Sequence, residues 1–197
     1  MMTPGFHPVP PGMVATIVTH LEMTDPPVAR PVCDTSGRKV GAISQPTARW
    51  YRNLFQSIGT PWLWWSRLAL TDAALEAIIT DPDVALFTLQ EDGADIGLLE
   101  LDFRVAGECE LAYFGLVPGA TGAGGGRQLM SHAVSNAFAR PITRLWLHTC
   151  TLDDPRALTF YRRAGFTPVR QEVEIAPDPR LAGYLPLNAG PHVPVFE

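Results

Sequence analysis

Residues 119–130 read GATGAGGGRQLM, with five glycines in the first eight positions. Directly after them, Leu129, Met130, Ala133, Val134, Ala137 and Phe138 recur at helical spacing over 127–140. The first N–H groups of a helix have no intrahelical partner and lie at the positive end of its dipole. Glycines just before them leave those groups bare, so the chemistry implied is anion binding, with a phosphate or pyrophosphate touching backbone N–H. Each charge-assisted hydrogen bond of this kind contributes about 1.5–3 kcal/mol. The bland alternative, a slack linker, gives no reason for fusion to a helix start and a preceding strand, FGLVP. No lysine follows the glycines, so the run is not a P-loop. The spacing Gly122-x-Gly124-x-Gly126, late in the chain and after hairpins, is not a dinucleotide fingerprint either.

A second chemical group stands in the strand ECELAYFGL. Strict alternation places Glu110, Ala112 and Phe114 on one face, with Cys109, Leu111 and Tyr113 on the other. Both faces are mostly apolar, so Glu110 is a candidate for a raised pKa and a basic role; the other reading is an exposed strand glutamate. Glu108, Asp102 and His148 are weaker choices for a base.

The elements that position these groups follow from pattern. Residues 14–24 are β-branched and alternating, a strand, and 25–46 form a long irregular connection rich in proline and turn residues. Helices are predicted over 47–59 and 71–82, the second capped by Thr71 or Asp72. Strands at 84–90, 94–105 and 108–118 form a meander whose first turn, EDG, is a hairpin signal. A strand at 143–151, a helix at 154–166 and a last strand at 166–175 complete an α+β domain with a mixed sheet. Residues 1–13 read as a loose segment. The single domain spans 14–175, split into 14–83 and 84–175, and 176–197 as a Pro-rich extended tail.

Composition narrows the classes. The chain has 197 residues, 46% hydrophobic and 18% charged, with a formal net charge of −5. One lysine, Lys39, stands against fourteen arginines, and no basic stripe points to nucleic acid. No apolar run approaches the roughly 20 residues of a membrane helix. The N-terminus lacks a basic segment followed by an apolar core, so it does not read as a secretory signal. Cys33, Cys109 and Cys150 show no metal spacing and read as packing residues in a reduced, cytoplasmic setting; no metal is expected.

Two motifs together carry a resemblance. VPGATGAGGGRQLM resembles the acyl-CoA signature of the GNAT superfamily of N-acetyltransferases, with Gly124 and Gly126 on its small positions and Thr121 where Gln or Arg is usual. DPRALTFYRRAGF resembles the family's C-terminal motif through Asp154, Ala157, Tyr161, Gly165 and Phe166, with Asp154 in place of the usual Asn. The resemblance is specific over about 84–175 and topological before that. It implies a GNAT-like, mostly antiparallel central sheet flanked by helices. It implies acetyl-CoA as co-substrate, with Thr121, Gly122, Ala123, Gly124, Gly125, Gly126 and Arg127 at the pyrophosphate, Leu116 and Val117 along the pantetheine, and Asp154 and Ala157 beside them. Arg127 reads equally well as a solvated helix residue, and Asp154 before Pro155 as a helix N-cap. Tyr161 falls where the family places the acid that protonates the leaving thiolate, with Phe160 filling the core; Glu110 falls near where relatives carry a base.

The acceptor is then expected in the half 14–83. Trp50, Tyr51, Phe55, Trp62, Trp64 and Trp65 are concentrated there; some must be core. Trp50, Trp64, Trp65 and Tyr113 are the candidates to line an acceptor pocket, which would favour an apolar or cationic partner. The implied function is acetyl transfer to a primary amine, on a small molecule or a peptide, by direct attack in a ternary complex. The alternatives are a CoA-binding sensor without turnover and a transferase for a longer acyl-CoA. A homodimer is left open.

Overall fold

The structure, a computed structural model, describes residues 3–26 and 37–197; Cys33 lies outside them. Among the described residues, seven strands and four α-helices follow one another in the order β1 (Met13–Met23), β2 (Arg38–Ala42), α1 (Ala48–Gly59), α2 (Asp72–Ile79), β3 (Val84–Glu91), β4 (Ala94–Asp102), β5 (Glu108–Leu116), α3 (Gly125–Ala137), β6 (Arg144–Cys150), α4 (Ala157–Ala164) and β7 (Thr167–Pro177). The strands form one sheet in the order β2-β3-β4-β5-β6-β1-β7, antiparallel except where β5 meets β6.

Local chemistry accounts for most boundaries. Thr47 caps α1 by accepting from Trp50 N at 3.2 Å, and Thr71 caps α2 by accepting from Ala74 N at 3.2 Å. The β3–β4 turn places Asp92 at φ 50° and Gly93 at φ 80°, the two positive angles that a tight two-residue hairpin requires. α1 ends where Pro61 cannot continue it and a single 3₁₀ turn, Thr60–Trp62, takes over.

Strand β2 is a correction. It lies within the stretch read as irregular, because five residues among prolines and turn formers carry little strand signal of their own. Tertiary contacts hold it: Arg38 pairs with Glu91 at 2.7 Å and donates to Ala120 O at 3.3 Å. The N-terminal strand β1, which chain order groups with 14–83, sits between β6 and β7.

Each sheet face carries its own core. α1 and α2 cover Val84, Leu86 and Leu98 with Tyr51, Phe55, Ile58 and Leu75. α3, α4 and the turn after α4 cover Leu89, Leu99, Leu101, Leu145 and Leu147 with Leu129, Ala133, Tyr161 and Phe166. Gly115 lets α1 approach the sheet; a Cβ there would meet Ile58 at 2.4 Å. The C-terminal segment is not extended. Asp178 and Arg180 are buried together, and Arg180 also donates to the carbonyls of Ala189 (3.2 Å), Val193 (2.8 Å) and Pro194 (3.3 Å). One guanidinium thus satisfies carbonyls that a proline-rich segment cannot pair in a ladder.

Candidate active site

β5 and β6 run parallel for three residue pairs only, Glu108–Glu110 against Arg144–Trp146, and then part. Opposite the split, β5 carries a bulge: Glu100 faces Tyr113 and Leu101 faces Leu111, so Ala112 is an extra residue. The bulge overturns the expected alternation. Cys109 and Leu111 face the α3–α4 core, but beyond Ala112 it is Phe114 that does so, while Tyr113 turns to the α1 side. The parting strands open a cleft of about 1690 Å³ that reaches both faces of the sheet.

On the α3–α4 face the cleft ends against the glycine run. Gly124 is the α3 N-cap at φ 85°, Gly122 has φ 91°, and the first intrahelical bond is from Gln128 N to Gly124 O at 3.0 Å. Leu116, Thr121, Gly122, Gly124, Gly126 and Arg127 line the cleft, as do Asp154 and Ala157. Gly125 does not: it is buried, and a Cβ there would meet Leu89 at 2.8 Å and Arg38 at 2.9 Å, so it serves the seating of α3 on β2 and β3. Ala123 and Val117 also lie off the cleft wall, and the Val117 N–H is spent on Ile96 O at 2.9 Å. Arg156, Arg162 and Arg163 join Arg127 around this end. The arrangement suits a polyanion: bare helix N–H groups, side-chain-free backbone and a rim of guanidinium groups.

Asp154 is not the α4 N-cap. That position belongs to Arg156, without a side-chain cap, and α4 starts at Ala157 rather than 154. Asp154 holds the preceding turn instead, accepting from Arg156 N at 2.8 Å and pairing with its guanidinium at 2.6 Å. Proline at 155 and the Asx turn together shift the helix start by one turn.

Tyr161 lines the cleft while 8% exposed, packed edge-on against Phe114, Phe160 and Phe166. Phe160, expected to take the core position, is the half-buried one and stacks on Phe114 at 5.5 Å. Among the described residues the Tyr161 hydroxyl makes no hydrogen bond, and burial, reinforced by Asp153, pushes its pKa above the ordinary phenol value. It is a phenol that keeps its proton until an acceptor arrives.

Glu110 stands at the root of the split, beside the cleft rather than in it, in a small pocket with Asp102, Arg104 and Trp146. Burial, helped by the charges of Asp102 and Glu100, raises its carboxyl to about 7. Its Oε1 is 3.8 Å from Nδ1 of His148, which does line the cleft and whose pKa burial and His20 hold below the ordinary value. Asp102 and Glu108 are tied to Arg104 and Arg144. A carboxyl raised on folding costs stability once it must ionise. The Glu110→Gln variant is therefore expected to match the native protein below pH 4.5, gain on it between 4.5 and 7, and hold its full advantage above 7. Urea unfolding at pH 4 and pH 8.5 checks this; equal differences at both would contradict it.

On the α1 face, Trp64, Trp65 and Tyr113 line the cleft. Trp64 packs on Phe55 and Tyr113 and donates to Asp153 Oδ1 at 3.1 Å; Trp65 stacks on Tyr184 at 5.8 Å. Tyr113 bonds through its hydroxyl to Ser66, beneath the guanidinium of Arg67, which pairs with the fully buried Glu100 at 2.5 Å. Trp50 is not part of the wall; its indole N–H is held by Asp95 at 2.7 Å. Tyr51 and Phe55 are core, and Trp62 lines the cleft beside His192. Sequence reasoning missed Asp153, whose other oxygen accepts from Thr149 at 2.7 Å and Cys150 N at 3.0 Å. The doubled aspartate before Pro155 was its signal. The two described thiols are held protonated, burial raising Cys109 to about 12 and Cys150 in the same direction.

No curated protein matches the chain. Among solved structures, a GCN5-related N-acetyltransferase from Sphaerobacter thermophilus superposes with a TM-score of 0.61 at 17% identity, over 87% of this chain and 53% of that one. A conserved protein of unknown function from Staphylococcus epidermidis gives 0.58 at 12% identity, over 85% and 63%. A GNAT acetyltransferase from Elizabethkingia anophelis, with acetyl-CoA bound, gives 0.52 at 15% identity, over 68% and 79%. The chain thus spans about half to two thirds of the length of the first two. These likenesses fix the fold; among the described residues no helix is long and apolar enough to cross a membrane. The model of the acetyltransferase (GNAT) family matches residues 48–166, which takes in α1, the meander, the glycine run and α4, and the chain belongs to that family.

Proposed function

We propose that the protein is an N-acetyltransferase that moves an acetyl group from acetyl-CoA to a primary amine by direct attack. The observation that carries this is one cleft with a bare helix N-terminus at one end and the Tyr161 phenol in its wall. The site fits the co-substrate: Gly126 leaves the first turn of α3 open, and the β5 edge beyond Glu110 has no β6 partner, free to pair with amides. When bound, acetyl-CoA supplies an activated carbonyl and a sulfur leaving group. The N–H groups of the cleft-lining residues Gly122, Gly124, Gly126 and Arg127 would hold the pyrophosphate, with Arg127 and Arg162 adding charge. Tyr161 holds the proton that the departing sulfur needs. Glu110, with a pKa near neutrality, receives the amine proton through His148 or water.

Thiol release from acetyl-CoA, followed with and without a panel of primary amines, tests the reading. Release that depends on an amine, with the acetylated amine as product, is expected. Binding of CoA that raises the melting temperature while no amine gives turnover would leave a CoA sensor instead.

A further inference from the structure

The two ends of the cleft differ in charge. Arg127, Arg156, Arg162 and Arg163 stand on the α3–α4 side, where a polyanion fits. On the α1 side no described lysine or arginine lines the cleft; its wall there is Trp64, Trp65, Tyr113, His148 and the carboxylates Asp153 and Glu174. Asp153 is fully engaged by Trp64, Thr149 and the Cys150 N–H. Asp154, the third acid of the cleft, is neutralised by Arg156. Glu174 is different. It lies on β7 opposite Thr16 of β1, is exposed, and makes no hydrogen bond or ion pair with any described residue. Glu172, one step along the same strand face, is paired with His20 at 2.9 Å and with Arg170 at 3.2 Å. Glu174 is thus the one lining carboxylate among the described residues with neither a hydrogen-bond nor an ion-pair partner. Its charge acts on the imidazole of His148, and it lines the same cleft as Trp64, Trp65 and Tyr113.

We infer that the acceptor is an amine bearing a second positive charge, and that Glu174 anchors that charge. The inference rests on the N-acetyltransferase reading and sharpens it. The Tyr113 ring already carries the Arg67 guanidinium, but the indoles of Trp64 and Trp65 and the Glu174 carboxylate attract a cation, whereas a neutral apolar acceptor would leave Glu174 idle in the wall. Attack requires one amine to be neutral; a second cationic group gives the site a handle that survives that deprotonation. Glu174 lies on β7, beyond the residues 48–166 that the family model matches.

Calorimetric titrations into protein saturated with CoA, which allows no turnover, test the inference. The probes are 1,3-diaminopropane, 1,4-diaminobutane and spermidine against n-butylamine. The best of the three is expected to bind about three- to fivefold more tightly than n-butylamine, and Glu174→Gln should erase that preference while Glu172→Gln keeps it. Both positions are exposed on β7, so neither variant threatens the fold. Equal binding of mono- and polyamines, or a preference unchanged in Glu174→Gln, overturns the inference. Acetylation of n-butylamine as readily as of the diamines overturns it too, while leaving the acetyltransferase reading standing. Glu174-dependent diamine binding with no thiol release from acetyl-CoA does the reverse.

Discussion

Gly126→Glu is expected to weaken CoA binding about a hundredfold or more without unfolding the protein. Gly126 lies in the first turn of α3 and faces the cleft. A Cβ there meets the edge of Phe160 at 3.7 Å and Leu116 Cδ1 at 3.9 Å, both ordinary contacts. The new carboxylate also favours the helix, since it sits at the positive end of the dipole. Stability should therefore hold while the anion site acquires a like charge. Gly126→Ala separates bulk from charge and should bind within a few-fold of the native protein. Neighbouring positions give less clean tests. Gly124 needs a left-handed φ, and Gly125 is packed against Leu89 and Arg38, so a side chain at either would disturb α3 itself. Calorimetry of CoA binding and thermal unfolding, run on the same samples, decide the matter. Undiminished affinity in Gly126→Glu would remove the pyrophosphate from the α3 N-terminus.

Tyr161→Phe is expected to lower turnover about a hundredfold while CoA affinity stays within twofold. The ring is held by Phe114, Phe160 and Phe166, and phenylalanine keeps all of those contacts. What is lost is a single hydroxyl that none of the described residues bonds. A purely structural tyrosine would show the opposite pattern: turnover unchanged and a small shift in stability. Steady-state rates with acetyl-CoA, paired with CoA titration, distinguish the two.

Much of this site could be read before the fold was known, because its parts are local. A glycine run before an amphipathic helix, and a tyrosine four residues before Gly165, are patterns in neighbouring residues. The α+β class and the hairpin at Asp92–Gly93 were legible for the same reason. What escaped depends on distant strands. The Ala112 bulge is defined only against β4, and it alone sends Tyr113 and Phe114 to faces opposite to those alternation gives. Strand β2 exists because Glu91 and Ala120 hold Arg38. Trp50 looked like a pocket residue until Asp95, across the sheet surface, took its indole N–H. Both Phe160 and Tyr161 line the cleft, and that Tyr161 is the more buried of the two turns on how α4 docks against Phe114 and Phe166 rather than on helical spacing. Arg180 shows the same limit, since its carbonyl partners lie up to fourteen residues away in a segment with no periodicity.

The central claim is direct acetyl transfer within one cleft that holds both substrates. Initial rates of thiol release, measured over a grid of acetyl-CoA and diamine concentrations, test it most directly. Double-reciprocal lines that intersect are the expected result, since both substrates must be present before the amine attacks. Parallel lines, or thiol released in a burst before any amine is added, would contradict it by showing that the acetyl group first passes to the protein.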